Sequence, residues 1–403
     1  MRATAIPAGW DMCAVESLGM VRGGKRLPKG RSLQVTPTPY PYVRVTDMRP
    51  GDVELAAIAY VPEDVAPSIR AYRIFRDDVF ISVAGTLGIV GRVPEQLSGA
   101  NLTENADRIT SIKCDVDYLM YSLLNEPIQR EIDAIRTVGA QPKLALGRIK
   151  QFQIAVPRAR EEQRRIAGAL RDCDEYIAAV VRLITKKQAI KQGMMQELLT
   201  GRTRLPGFTR NWVPGTFEEL ASPVKDRTLP AQVSPDTPLV ELDQIESATG
   251  RLLARSTVTS ATSLKTRFNV GDVLFGKLRA YLRKFWIADT SGLCTTEIWA
   301  FRSKPGVSGE FVRFIVETDG FIEAASGAYG THMPRSDWGT VRRYELLIPE
   351  PEEQTAIASV LMDADREVQL LRARLAKARD VKQGMMQELL TGRTRLPAQE
   401  AVA

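Results

Sequence analysis

Residues Lys191–Pro206 read KQGMMQELLTGRTRLP, and Lys382–Pro397 read the same sixteen residues. An identical run of that length is an internal repeat, and it decides how the rest of the chain is parsed. Upstream, the constant offset of 191 residues holds through Glu161-Glu162-Gln163 against Glu352-Glu353-Gln354, Ile166 against Ile357, Leu170 against Leu361 and Asp172 against Asp363. Before that, IAVP (154–157) and LLIP (346–349) close two unlike blocks, so each half is a variable block followed by a common tail. In the first tail Ile166, Leu170, Ile177, Ile184 and Leu198 fall on a 4-3 spacing; in the second Ile357, Leu361, Val368, Leu375 and Leu389 do the same. A period near 3.5 predicts two long amphipathic helices joined along an apolar seam. Pro157, Pro349 and Pro351 bound their starts, and Thr200-Gly201 and Thr391-Gly392 their ends.

Helices of about 39 residues, at ~1.5 Å each, would be rods of roughly 58 Å. A block of about 140 residues has a radius of gyration of only roughly 14 Å. Such a block cannot carry the chain back along a whole rod, so the expected pairing is antiparallel, with pseudo-two-fold symmetry. The fold expected is α/β: two similar domains separated by two long antiparallel coiled-coil helices, with 1–157 and 202–348 as the domains, 158–201 as the first spacer helix and 349–403 as the second helix and tail. Inside the blocks, Val79–Val83 and Gly88–Val90, then Gly271–Phe275, Arg283–Ala288 and Ile298–Phe301, read as strands, while Tyr118–Leu124 and Glu310–Glu317 read as helices. Asp78-Val79 and Asp272-Val273 open equivalent strands, and Gly139–Lys143 and Gly330–Arg335 precede the final strand of each block at a similar distance.

The 403 residues are 44% hydrophobic and 26% charged, with no apolar run of membrane-spanning length and no signal-like N-terminus, so a cytoplasmic protein without a membrane partner is expected. Cys13, Cys114, Cys173 and Cys294 lie far apart, and His332 is the single histidine, which disfavours zinc knuckles, disulfide scaffolds and His-based hydrolysis. The formal charge of +7 points to a polyanion. Arg22, Lys25, Arg26, Lys29 and Arg31 form one basic cluster, read as a flexible glycine-bearing loop whose cations could reach phosphates or the O6/N7 edge of guanine. Lys277, Arg279, Arg283 and Lys284 around Tyr281 form another, one cluster per half. Gly19–Lys25 fits G-x-x-x-x-G-K, but Arg26 stands where a phosphate loop needs Ser or Thr. No signature of methyl transfer or nuclease chemistry is present, so no catalytic residue and no metal site are expected.

The repeated EEQ-x-x-I-A opening and GMMQELLTGRTRLP closing resemble the helices of the specificity (S) subunit of Type I restriction-modification enzymes. The stretches Val21–Gly30, Ser82–Gly88 with Gly99–Asn105, and Gly271–Arg279 with Cys294–Glu297 are similar to that family's target-recognition domains. The resemblance implies a non-catalytic subunit that reads a bipartite site on double-stranded DNA, with two methyltransferase (modification) subunits docked on its helices and restriction subunits in the full complex. S-adenosylmethionine would sit on the methyltransferases, with no cofactor bound by this chain. On this reading Thr86, Lys143 and Arg335 join the two basic clusters as candidate DNA contacts, and the GMMQELL ends and flanking helix surface meet the methyltransferases. A free-standing DNA-binding regulator and a P-loop enzyme are the alternatives from other classes.

Overall fold

The computed structural model describes residues 6–136, 142–258, 263–327 and 334–397. His332, Gly139–Gln141 and Gly330–Met333 lie outside them. The chain divides into two compact units, Met1–Val180 with Arg374–Ala403, and Val181–Ala373.

In the first unit, Trp10–Ala14 pairs antiparallel with Gln153–Pro157 and ties the start of the block to its end. One sheet runs in the order Met20–Gly23, Ala106–Thr110, Val79–Ser82, Val90–Gly91. A second runs Ala59–Tyr60, Pro41–Val43, Ala100–Leu102, Arg73–Ile74, with Pro41–Val43 and Ala100–Leu102 parallel. All four residues of Val79–Ser82 are buried, which a half-exposed strand would not require. The two-residue period explains it: Val79 and Ile81 enter a core shared with the helices, while Phe80 enters a core beneath the second sheet with Val43, Ile74 and Leu102. The helix Val116–Leu124 starts where the Asp115 carboxylate accepts the Tyr118 N–H at 3.0 Å.

The second unit repeats this plan from different residues. Val213–Thr216 pairs with Glu345–Ile348. One sheet runs Ala221–Pro223, Ile298–Ser303, Val273–Gly276, Phe285–Ile287; the other contains the parallel pair Pro238–Val240 and Gly292–Cys294. Val273 and Phe275 face the helix-side core, and Leu274 faces the opposite one with Trp286 and Ala300. Ser308 caps Gly309–Glu317 by accepting the Phe311 N–H at 3.2 Å.

The common tails form helices Arg160–Leu198 and Pro351–Leu389, each of 39 residues. The repeated glutamine sews each start to its own domain. Gln163 Oε1 accepts the Asp115 N–H at 2.8 Å while its amide donates to the Pro157 carbonyl at 2.7 Å. Gln354 accepts from the Ser308 N–H at 3.2 Å and donates to the Pro349 carbonyl at 2.9 Å. Within the first unit, the Cys173 thiol donates to Met385 Sδ at 3.4 Å, Lys382 Nζ meets Asp174 at 2.6 Å and Arg395 meets Glu162 at 2.6 Å, so residue numbers run in opposite senses and the pairing is antiparallel. The second unit has the same sense, with Lys187–Glu367 at 2.7 Å, Lys191–Asp365 at 2.6 Å and Arg204–Glu353 at 2.6 Å.

The expected seam is put to more than one use. Ile166, Leu170 and Leu389 belong to the first unit's α/β core, and Ile357, Leu361 and Leu198 to the second unit's. Ile184 and Val368 are buried on the helices of the second unit, whereas Ile177 and Leu375 are half-buried in the first. The apolar residues of the GMMQELL ends are turned inward. Met195, Leu198 and Leu199 lie in the second unit's core, and Met385, Met386, Leu389 and Leu390 pack in or against the first unit's.

Candidate nucleic-acid interface

Backbone hydrogen bonds align the two units residue by residue where their letters do not. Val83 N–H donates to the Asn105 carbonyl at 2.7 Å, and Leu144 N–H donates to the Val83 carbonyl at 2.9 Å. In the second unit Lys277 N–H donates to the Glu297 carbonyl at 3.0 Å, and Ser336 N–H donates to the Lys277 carbonyl at 2.8 Å. Val83 therefore corresponds to Lys277, and Lys143 to Arg335. The hairpins that follow share their closing bond, since Ser82 N–H reaches the Ile89 carbonyl at 2.9 Å and Gly276 N–H the Lys284 carbonyl at 2.8 Å, the second loop being one residue longer.

The first basic cluster is less flexible than its glycines suggest. Arg22 stands exposed on the strand Met20–Gly23, and a Cβ on Gly24 would lie 2.0 Å from the Thr103 carbonyl oxygen, so Gly24 is a close backbone approach and not a hinge. The G-x-x-x-x-G-K stretch thus includes a sheet strand. Lys25 is exposed with its ammonium 5.8 Å from the Tyr72 ring centre, Arg26 is 74% exposed and 3.1 Å from Glu104, Lys29 is exposed, and Arg31 pairs with Asp64. Thr86 is exposed on the hairpin turn and its carbonyl accepts the Ser82 hydroxyl at 2.6 Å. Lys143 is exposed near Asp107, whose carboxyl burial pushes up while the charges of Lys143 and Arg108 pull it down.

In the second unit the candidates divide by what their side chains already hold. Arg283 donates to the Glu317 carbonyl at 3.2 Å and pairs with Asp319, and Lys284 donates to the Leu242 carbonyl at 2.7 Å, so both brace the fold. Arg335 forks onto Glu297 through two contacts of 3.1 Å. Lys277 is half-buried and Tyr281 is exposed. Arg279 is exposed and has no ion pair or side-chain hydrogen bond among the described residues. It lines an open cleft with Lys284, Glu241, Asp243, Thr295 and Glu297, bringing two of the candidate cations together with three carboxylates.

Two constellations escape a reading of motifs. The buried carboxylates Glu162 and Glu353, the middle letters of the repeated opening, are clasped by Arg395 and Arg204 from the repeated closing. Asp174 and Asp365, one repeat apart, hold Lys382 and Lys191, which explains lysines at seam positions. The repeat contains both partners of each pair, and only the antiparallel fold shows which copy meets which.

Residues 7–192 match the family model of the Type I restriction modification DNA specificity domain. The Type I restriction enzyme EcoDI specificity subunit of Escherichia coli is 27% identical over 175 residues, 43% of this chain. The chain spans 37% of the length of that relative. The solved Type-I restriction-modification system S subunit from M. genitalium aligns over 99% of both chains with a TM-score of 0.59 at 13% identity. A chain from a structure of type I R-M complex assembly and conformational transition aligns over 97% of this chain and 100% of its own, with a TM-score of 0.57 at 14% identity. These two structures share the fold.

Proposed function

We propose, starting from a chain whose residues 7–192 belong to the Type I restriction modification DNA specificity domain family, that the whole chain is the specificity subunit of a Type I restriction-modification complex. In this reading residues 1–157 and 202–348 are target-recognition domains, each reading half of a bipartite site on double-stranded DNA, and 158–201 and 349–403 are the spacer helices. The chain itself is non-catalytic and works in the cytoplasm. Two methyltransferase subunits carry S-adenosylmethionine, and restriction subunits complete the assembly.

The observation that carries this reading is the duplication itself. The family match ends at residue 192, and the block beyond it reproduces the main strand pairings and capping bonds of the first with a different surface. A repeated frame with diverged outward side chains is what two readers of different sequences require. Docking on the helices is supported by the exposed Tyr176 and Val381, which line one mostly apolar groove between the two helices of the first unit with Cys173 and Ala378.

Methylation-aware sequencing of the host genome, with and without this chain, is the test. A bipartite methylated motif that disappears with the chain, and a methyltransferase that co-purifies with it, are expected. An unchanged methylome, or methyl transfer by the purified chain alone, would overturn the reading.

A further inference from the structure

The two hairpins that correspond between the units are anchored by the same backbone bonds and enter and leave their turns through left-handed residues, the second being one residue longer, but they place opposite residues there. In the first, the turn enters and leaves through left-handed glycines, Gly85 at φ +75° and Gly88 at φ +78°. In the second, the corresponding positions are Arg279 at φ +54° and Arg283 at φ +51°. Left-handed backbone is disfavoured for any residue carrying a Cβ, and a side chain kept there needs a reason. Arg283 has one, because its guanidinium holds the Glu317 carbonyl and Asp319. Arg279 has none within the described fold: only its backbone is engaged, its N–H donating to the Pro334 carbonyl at 2.9 Å.

The surroundings of Arg279 show what its guanidinium fits. A phosphate site gathers donors and excludes carboxylates, yet Glu241, Asp243 and Glu297 line this cleft. Glu297 is oriented by the two-pronged contact with Arg335, and each of its oxygens keeps acceptor capacity. A forked donor beside a fixed acceptor complements the major-groove edge of a G·C pair, where guanine offers O6 and N7 and cytosine offers its N4 amino group. Resting on the specificity-subunit reading above, we infer that Arg279 is a guanine-reading residue of the second domain. Glu297, positioned by Arg335, accepts from the cytosine of the same pair. The first domain has no counterpart to this reader, because Gly85 occupies the position.

The strained backbone makes the test clean. Arg279→Gly places the residue that the other unit uses, so the variant complex should melt within about 2 °C of wild type or above it. Selection of bound sequences from a library randomised in both half-sites should then show preference for G·C lost at one position of one half-site, by roughly 5- to 150-fold, with the other half unchanged. Arg279→Lys, which keeps the charge without the fork, should lose the same preference, and Glu297→Gln should weaken it. Three results would overturn the proposal: a marked drop in melting temperature for Arg279→Gly, uniform weakening across all sequences with a reduced salt slope, or full preference retained by Arg279→Lys. Wild type that selects no sequence at all would instead overturn the specificity reading beneath it, and this proposal with it.

Discussion

The two units are most alike where the repeated letters meet the domains, and they differ where a helix of each domain leans on the long helices. In the first unit Asp174 receives Lys382 and the Tyr121 hydroxyl, and the Lys382 ammonium lies 5.4 Å from the Tyr121 ring centre. In the second, Asp365 receives Lys191 and Arg313, and Lys191 lies 5.4 Å from the Phe314 ring centre. Capping at Asp115 and Ser308 makes Phe314 the counterpart of Tyr121 and Arg313 that of Met120. One frame therefore accepts a single half-exposed ion pair or a buried four-member cluster of Arg313, Glu317, Asp365 and Lys191. The helix repeat sets the geometry, and each domain supplies its own chemistry against it.

That comparison is sharpest under substitution. Asp365→Ala leaves Arg313 and Lys191, whose side chains are 5% and 11% exposed, sharing the single carboxylate of Glu317, and the uncompensated buried charge should cost about 3–5 kcal/mol. Asp174→Ala, at a side chain 40% exposed, should cost about 1 kcal/mol. Urea unfolding of the full chain measures both, and equal losses would erase the distinction. Leu170→Ala and Leu361→Ala test the shared part: both side chains are fully buried one repeat apart, and each should lose about 2–5 kcal/mol, with the two values close.

A smaller asymmetry lies at the clasps. A Cβ on Gly392 would lie 3.2 Å from the Trp10 ring and one on Gly201 3.2 Å from the Trp212 ring, yet only Trp212 uses its indole N–H, donating to Glu353 at 2.8 Å. Trp10 Nε1 is buried without a hydrogen-bond partner among the described residues. Trp212→Phe should therefore cost about 1.5–3 kcal/mol and Trp10→Phe clearly less, read by the same unfolding curves.

The smallest effect expected is pH-dependent. Strand register places Trp299 of the second unit where the first has Asp107, so this titrating group belongs to one unit alone. Burial raises the Asp107 carboxyl, so the folded state holds its proton more tightly than the unfolded chain does. Its contribution to stability is then greatest below the unfolded value and declines as pH rises through the folded one. Asp107→Asn should flatten that decline and slightly raise stability at neutral pH; an unchanged pH profile would show that the group does not titrate as its burial requires.

Much of this frame was legible in the letters because its signals are periodic or repeated. The sixteen-residue repeat announced two equivalent helices, the heptad spacing their apolar faces, and the size of the blocks their antiparallel sense. The clasps were not legible, because Glu162 and Arg395 are 233 residues apart and either arginine could have met either glutamate. Side-chain commitments were equally hidden: Arg283 and Arg279 look alike in a basic run, and only the fold shows one holding a helix and the other facing solvent. The correspondence of Gly85 with Arg279 needed backbone angles and hydrogen-bond partners, since no local similarity of letters marks it.

Lys143 and Arg335, matched by the same backbone bond in the two units, offer the most direct test of two separate readers in one chain. Binding of the chain, together with the methyltransferase proposed as its partner, to DNA libraries randomised in both half-sites should be measured for Lys143→Ala and Arg335→Ala. Each variant is predicted to change recognition in one half-site only, and the two in different halves. A change in both halves from either substitution would mean that the units build one shared reading surface, contrary to the duplication of the fold.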